Sequence, residues 1–135
     1  MIRAVDTSVL VAAFASWHAD HELAVRELAG HPTAVSHSLV ETYAVLTRLP
    51  EPQRADPRLV TEFLDRNFPR APLTLTAGQM RDVPGTLARL GISGGAVYDG
   101  LIALTSLAHD AQLVSLDRRA ESTYRRCGVR FDLLL

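Results

Sequence analysis

Short apolar runs alternating with stretches of helical period constrain this chain more than any other feature. The runs at residues 2–5, 33–35, 72–75, 112–115 and 129–131 are too short for helices and rich in Val, Leu and Ala. Between them, apolar residues recur at helical spacing over residues 7–15, 21–29, 37–47, 59–68, 96–108 and 118–126. Residues 77–90 share that pattern, with a predicted break at Pro84 and Gly85. Such alternation implies an α/β three-layer sandwich, a mostly parallel five-stranded sheet covered on both faces. Right-handed crossovers make 3-2-1-4-5 the simplest doubly wound strand order. The 135 residues suffice for a single domain, 1–135, because the Pro-rich loop at 49–57 divides parts too small to fold alone.

Four acidic residues stand out against this frame. Asp6 follows Val5, Glu41 follows Val40, Asp99 follows Tyr98, and Asp117 follows Leu116, each at a predicted strand end or near a predicted helix start. In a parallel sheet, the carboxyl ends of strands and the amino ends of the returning helices share one rim. The four carboxylates are therefore expected to meet at the topological switch point. Two of them about 5 Å apart would repel by roughly 3 kcal/mol at an effective dielectric near 20. A divalent cation with a preference for oxygen ligands relieves that repulsion. The pattern points to a Mg²⁺ or Mn²⁺ site for phosphate chemistry, with Asp6, Glu41, Asp99 and Asp117 as both metal ligands and catalytic residues.

Each carboxylate also has an ordinary structural reading. Asp6 and Asp117 can cap helices. Ser38-Leu39-Val40-Glu41 has the spacing of a capping box. Asp99 can complement a helix dipole. Convergence at one crevice, rather than any single residue, carries the functional reading. Thr7, Ser8 and Ser115 offer hydroxyls able to orient the carboxylates or metal-bound waters. Arg118, Arg119, Arg125 and Arg126 crowd the predicted helix that begins beside Asp117. Phosphate binding, with Arg118, Arg119 and Arg125 as candidates, is one reading of this basic strip, and a solvated face with Glu121 as local partner is the other. His18 and His21 lack a third metal-binding neighbour in sequence, so a solvated or substrate-facing role suits them better.

Composition narrows the chemistry further. All 14 basic residues are Arg. Without Lys, neither a Walker-type phosphate loop nor a Schiff-base mechanism is available. A haloacid-dehalogenase-like phosphatase also begins with a strand ending in Asp. It needs a second Asp where this chain has Ser8, and a later Lys. A non-catalytic module with an acidic groove for a basic partner tail is the other alternative. Cys127 is the single cysteine, no stretch has the apolar length of a membrane span, and the start has no long apolar leader. These features lead us to expect a cytoplasmic protein with no membrane association.

The segments Val5-Asp6-Thr7-Ser8, Leu39-Val40-Glu41, Tyr98-Asp99-Gly100-Leu101-Ile102-Ala103 and Leu113-Val114-Ser115-Leu116-Asp117-Arg118 resemble the four acidic motifs of PIN-domain nucleases. Their order and the chain length resemble the VapC toxins of bacterial type II toxin–antitoxin pairs. The resemblance spans nearly the whole chain. It implies a PIN-like fold and a Mg²⁺- or Mn²⁺-dependent endoribonuclease acting on structured RNA such as tRNA or rRNA. It also implies a homodimer and a small VapB-type antitoxin whose tail enters the active groove. Gly100, Leu116 and Ala120 depart from residues frequent in that family, which bears on substrate fit or packing more than on the metal.

Overall fold

The computed structural model describes residues 1–134. A parallel sheet lies at its centre. Strand β1 (Arg3–Val5) pairs on one side with β2 (Thr33–Ala34) and on the other with β3 (Gln112–Ser115), which pairs in turn with β4 (Phe131–Leu133). The order is β2-β1-β3-β4. Register places Ala4 opposite Leu113 and Val5 opposite Val114. The pleat sends each pair to a different face. Ala4 and Leu113 join one apolar cluster, and Val5 and Val114 join the other. Helices cover both.

Four helices close one face: α1 (Thr7–Phe14), α2 (His21–Ala29), α3 (Ser36–Thr47) and α4 (Pro57–Asn67). They contribute Val9, Leu10, Ala24, Leu28, Leu46, Val60 and Leu64 to the core. Three helices close the other face: α5 (Ala77–Arg89), α6 (Ala96–Ala108) and α7 (Glu121–Cys127), the last preceded by a 3₁₀ turn at Arg118–Ala120. They supply Val83, Leu87, Ile102, Ala103, Tyr124 and Cys127. Among the described residues no helix is long and apolar enough to cross a membrane.

The sheet has four strands, not the expected five. Residues 72–75 flank β2 on the expected side, but they make one isolated bridge, Val35 to Leu73. Leu73 N–H donates to Ala34 O at 2.8 Å, and Leu73 O accepts from Ser36 N–H at 2.9 Å. The ladder ends there for two local reasons. Pro72 has no N–H to donate, and β2 turns into α3 at Ser36, leaving no extended partner. The Thr74 carbonyl faces the His109 ring nitrogen at 2.8 Å instead.

Two other expectations change. Helix α5 runs unbroken through Pro84. Pro84 and Gly85 are exposed, so the hydrogen bond lost at proline lies on the solvent side while Val83 and Leu87 anchor the opposite face. A capping box between Thr76 and Gln79 secures the start of the helix. The predicted helix at 118–126 splits into the 3₁₀ turn and α7, and the last strand begins at Phe131 rather than Val129. Gly128 ends α7 with φ of +76°, the left-handed conformation that favours glycine at this position. The remaining helices start and stop within two residues of their predicted limits.

Leu113 is fully buried on an inner strand, between β1 and β4. Leu113→Ala is expected to destabilise the fold by about 3 kcal/mol, lowering the melting temperature by roughly 10 °C. A circular-dichroism melt checks this, and a shift under 3 °C would contradict a close-packed centre.

Candidate active site

The carboxyl ends of β1 and β3 open into a cleft of about 420 Å³. Asp6, Glu41, Asp99 and Asp117 all line it. Asp6 N–H donates to Val114 O at 3.0 Å, which carries the sheet ladder one residue past β1. Backbone pairing therefore fixes where its side chain begins.

Asp6 is also the N-cap of α1. Its Oδ1 accepts from Ser8 N–H at 3.0 Å, from Val9 N–H at 3.4 Å and from the Ser8 hydroxyl. Its Oδ2 accepts from the Tyr124 hydroxyl at 2.6 Å. The residue is only 3% exposed. Burial pushes its carboxyl above the ordinary carboxylate range, and the hydroxyls of Ser115, Ser8 and Tyr124 with the Val9 N–H oppose that push. Burial and the charge of Asp6 drive the Tyr124 phenol far upward, so it keeps its proton and donates.

Glu41 sits within α3, not at its start. The helix begins at Ser36, so the Ser38–Glu41 spacing makes no capping box, and the Ser38 hydroxyl is buried without a hydrogen-bond partner. The Glu41 carboxylate accepts instead from the Thr7 hydroxyl on α1. Asp99 occupies the first turn of α6. Burial is the largest cause that lifts its carboxyl to about 6, followed by the charges of Asp6, Asp117 and Glu41, while Arg119 opposes them. All four carboxylates face the same cleft.

Asp117 caps the 3₁₀ turn through Arg119 N–H at 2.9 Å. Ser115 Oγ accepts from Asp117 N–H at 3.0 Å, and Ser8 Oγ accepts from Leu116 N–H at 2.8 Å. Ser8 thus joins the end of β1 to the end of β3. Capping and cleft-lining coincide in Asp6 and Asp117, because a cap at the end of a parallel strand already faces the crevice.

The structure separates the three arginines. Arg119 reaches the cleft and lies 3.5 Å from Asp117 Oδ1. Arg125 is drawn to Glu121 and lies 5.4 Å over the Phe131 ring. Arg118 and Arg125 line a separate shallow depression that shares Arg119 with the cleft. His18 lines the cleft, and its Nδ1 accepts from Asp20 N–H at 3.0 Å, which leaves its Nε2 as the protonated nitrogen. The His21 ring is engaged by Ala12 O at 2.8 Å and contributes no ligand to the cleft.

Two lining or supporting residues had no sequence signal. Asp20 reaches the cleft because the turn between α1 and α2 folds back on it. Tyr124 reads in sequence as one more apolar residue on a helix, and only the tertiary structure aims its hydroxyl at Asp6.

Residues 3–126 match the PIN domain family. Over 131 residues the chain is 44% identical to Ribonuclease VapC40 of Mycobacterium tuberculosis, covering 97% of this chain and 98% of that protein. Over 127 residues it is 42% identical to Ribonuclease VapC27 of M. tuberculosis strain ATCC 25618 / H37Rv, covering 93% of this chain and 92% of that one. With an acidic cleft at the carboxyl edge of a parallel sheet, the chain belongs to the PIN-domain family. Within that family it is of the VapC type.

The crowding of charge makes a prediction about stability. A carboxyl raised by folding costs stability wherever it is ionised. The cost is absent below the unfolded value near 4, grows through the interval, and is complete above about 6 for Asp99. Solvent access to this half-buried group reduces the cost to about 1 kcal/mol. Asp99→Asn should therefore raise the melting temperature in chelator at pH 7.5 by about 4 °C, and the gain should disappear near pH 4. A variant that melts below wild type at pH 7.5 would contradict the cost of ionising Asp99 in this half-buried, crowded place.

Proposed function

We propose that this chain is a divalent-cation-dependent endoribonuclease, the toxin of a type II toxin–antitoxin pair, that hydrolyses RNA phosphodiesters with Mg²⁺ or Mn²⁺. The observation that carries this reading is the convergence of four carboxylates in one cleft, close enough for three of them to raise the fourth. The names of the two relatives support the choice of RNA as substrate.

The donor set suits a hard cation. Asp6, Glu41, Asp99 and Asp117 offer only oxygen, and their mutual repulsion is what a divalent charge relieves. Among the described residues, no three His, Cys, Asp or Glu side chains already form a ligand cluster. Mg²⁺ ordinarily binds through one or two carboxylates and keeps several waters. The arrangement fits that mode, with Asp6 and Asp99 as direct ligands, Glu41 as a ligand or a guide for water, and Asp117 acting through water. When bound, the cation supplies a water of lowered pKa and positive charge opposite the phosphoryl oxygens.

The protein's own groups do the rest. Thr7 holds the Glu41 carboxylate, and Ser8 and Ser115 hold the ends of β1 and β3 in register around Asp6 and Asp117. Arg119 stands at the cleft edge, where an RNA phosphate entering between the carboxylates would meet it. Arg118 and Arg125 extend that basic strip away from the cleft. Membership of the VapC type supports a structured RNA of the tRNA or rRNA class as target, a VapB-type antitoxin as inhibitor and a homodimer as the working form.

Cleavage of total RNA is expected in Mg²⁺ or Mn²⁺ and is expected to stop in EDTA. Asp6→Asn and Asp99→Asn should each slow cleavage by roughly 100-fold or more. Both keep the shape of the side chain, and Asn caps helices as Asp does. Cleavage at near-normal rate by either variant, or by wild type in EDTA, would refute the assignment.

A further inference from the structure

A tyrosine buried in an apolar core needs a hydrogen-bond partner for its hydroxyl. Tyr124 on α7 is fully buried, and its ring packs 5.8 Å from that of Phe131. Its hydroxyl finds its partner 118 positions away, in the Oδ2 of Asp6 at 2.6 Å. The two oxygens of Asp6 are thereby held from opposite sides of the sheet. Oδ1 is held by the first turn of α1, whose Val9 belongs to one core, and Oδ2 by α7, whose Tyr124 belongs to the other.

A carboxylate fixed at one oxygen alone can still rotate about its Cβ–Cγ bond. Fixing both oxygens sets the plane of the group. A carboxylate oxygen has about two acceptor directions. Tyr124 takes one of them at Oδ2, and the Ser115 hydroxyl is a further polar neighbour of the same carboxylate. Asp6 lines the cleft, so the plane set by these bonds is the one it presents to a cation there.

We infer that Tyr124 is a positioning residue, which holds the plane of the Asp6 carboxylate as it faces a divalent cation in the cleft. This rests on the reading of Asp6 as a metal ligand. A phenylalanine would fill the same space in the core. It would remove the one hydrogen bond that reaches the Asp6 carboxylate from α7.

The test is Mn²⁺ binding to RNA-free protein, followed by electron paramagnetic resonance, in wild type and in Tyr124→Phe. Removing an outer partner of a metal ligand costs about 10- to 100-fold in metal affinity. We expect Tyr124→Phe to weaken Mn²⁺ binding by at least about 10-fold, while KM for RNA at saturating Mn²⁺ stays unchanged. A role confined to core packing would lower the melting temperature in EDTA and leave Mn²⁺ affinity intact, and that outcome overturns the inference. A second measurement needs no substitution at Tyr124. In a Tyr43→Phe, Tyr98→Phe background Tyr124 is the sole tyrosine left of the three. With ¹³Cζ-labelled tyrosine, its resonance should move on adding Mg²⁺, with the same midpoint as the Mg²⁺-induced thermal stabilisation. A resonance that stays fixed across that titration also overturns the inference. Wild type that takes up no Mn²⁺ would sink the metal reading of Asp6, and this inference with it. Wild type that binds Mn²⁺ no better than Tyr124→Phe would sink only the role of Tyr124.

Discussion

An ionisable carboxylate at 3% exposure, with four more around the same cleft, is the constraint from which the rest of this structure can be understood. Desolvation alone would favour the neutral form of Asp6. The fold opposes this with donors from separate elements: backbone N–H groups of α1, the Ser8 hydroxyl, and the Tyr124 hydroxyl from α7. Each donor is itself held. Ser8 also accepts from Leu116 N–H, and Tyr124 is locked in the core. The positions of α1, β3 and α7 are therefore linked through one side chain.

The two ends of the sheet handle charge differently. At the amino end, Arg3 on β1 lies 2.9 Å from Glu27 and 3.2 Å from Asp132, so acid and base stand in ion pairs. At the carboxyl end, five carboxylates, with Asp20 beside the four already named, line a cleft whose lining includes a single arginine, Arg119, with its side chain 95% exposed. Nothing in the backbone geometry forbids a second base there. The amino ends of α1 and α6 supply some positive potential, because Asp6 caps one and Asp99 lies in the first turn of the other. That is a modest compensation where burial, and after it the neighbouring carboxylates, lift Asp99 to about 6. The remaining imbalance costs stability, and a bound cation would relieve it.

How much of this was legible in the sequence depended on whether a residue's role followed from its neighbours. Asp6 and Asp117 were legible because short apolar runs mark strand ends, and a parallel sheet gathers those ends on one side. Asp99 was legible from its place at the head of an apolar helix. Glu41 was singled out at a supposed helix start, yet it reaches the cleft from inside α3 because that helix lies along α1. The fifth strand failed for a reason only pairing reveals: β2 is two residues long and offers residues 72–75 nothing extended to join. Pro84 read as a break because proline disrupts isolated helices, but packing of Val83 and Leu87 holds α5 together around it. Tyr124 and Asp20 could not be read at all, since their roles arise from contacts with no local pattern.

The position of the cleft between two cores has a mechanical consequence. Val5 and Val114 face the core beneath α1–α4, and Ala4 and Leu113 face the core beneath α5–α7. Glu41 and Thr7 belong to the first layer, Asp99 and Tyr124 to the second, and Asp6 stands at the seam. A close-packed interior transmits small displacements rather than absorbing them. A shift of either layer across the sheet therefore moves Glu41 relative to Asp99, while Asp6, fixed by its bond to Val114 O, stays with the strands. The spacing of the carboxylates reports how both layers seat on the sheet. Distant core residues therefore bear on the geometry of the cleft without touching it.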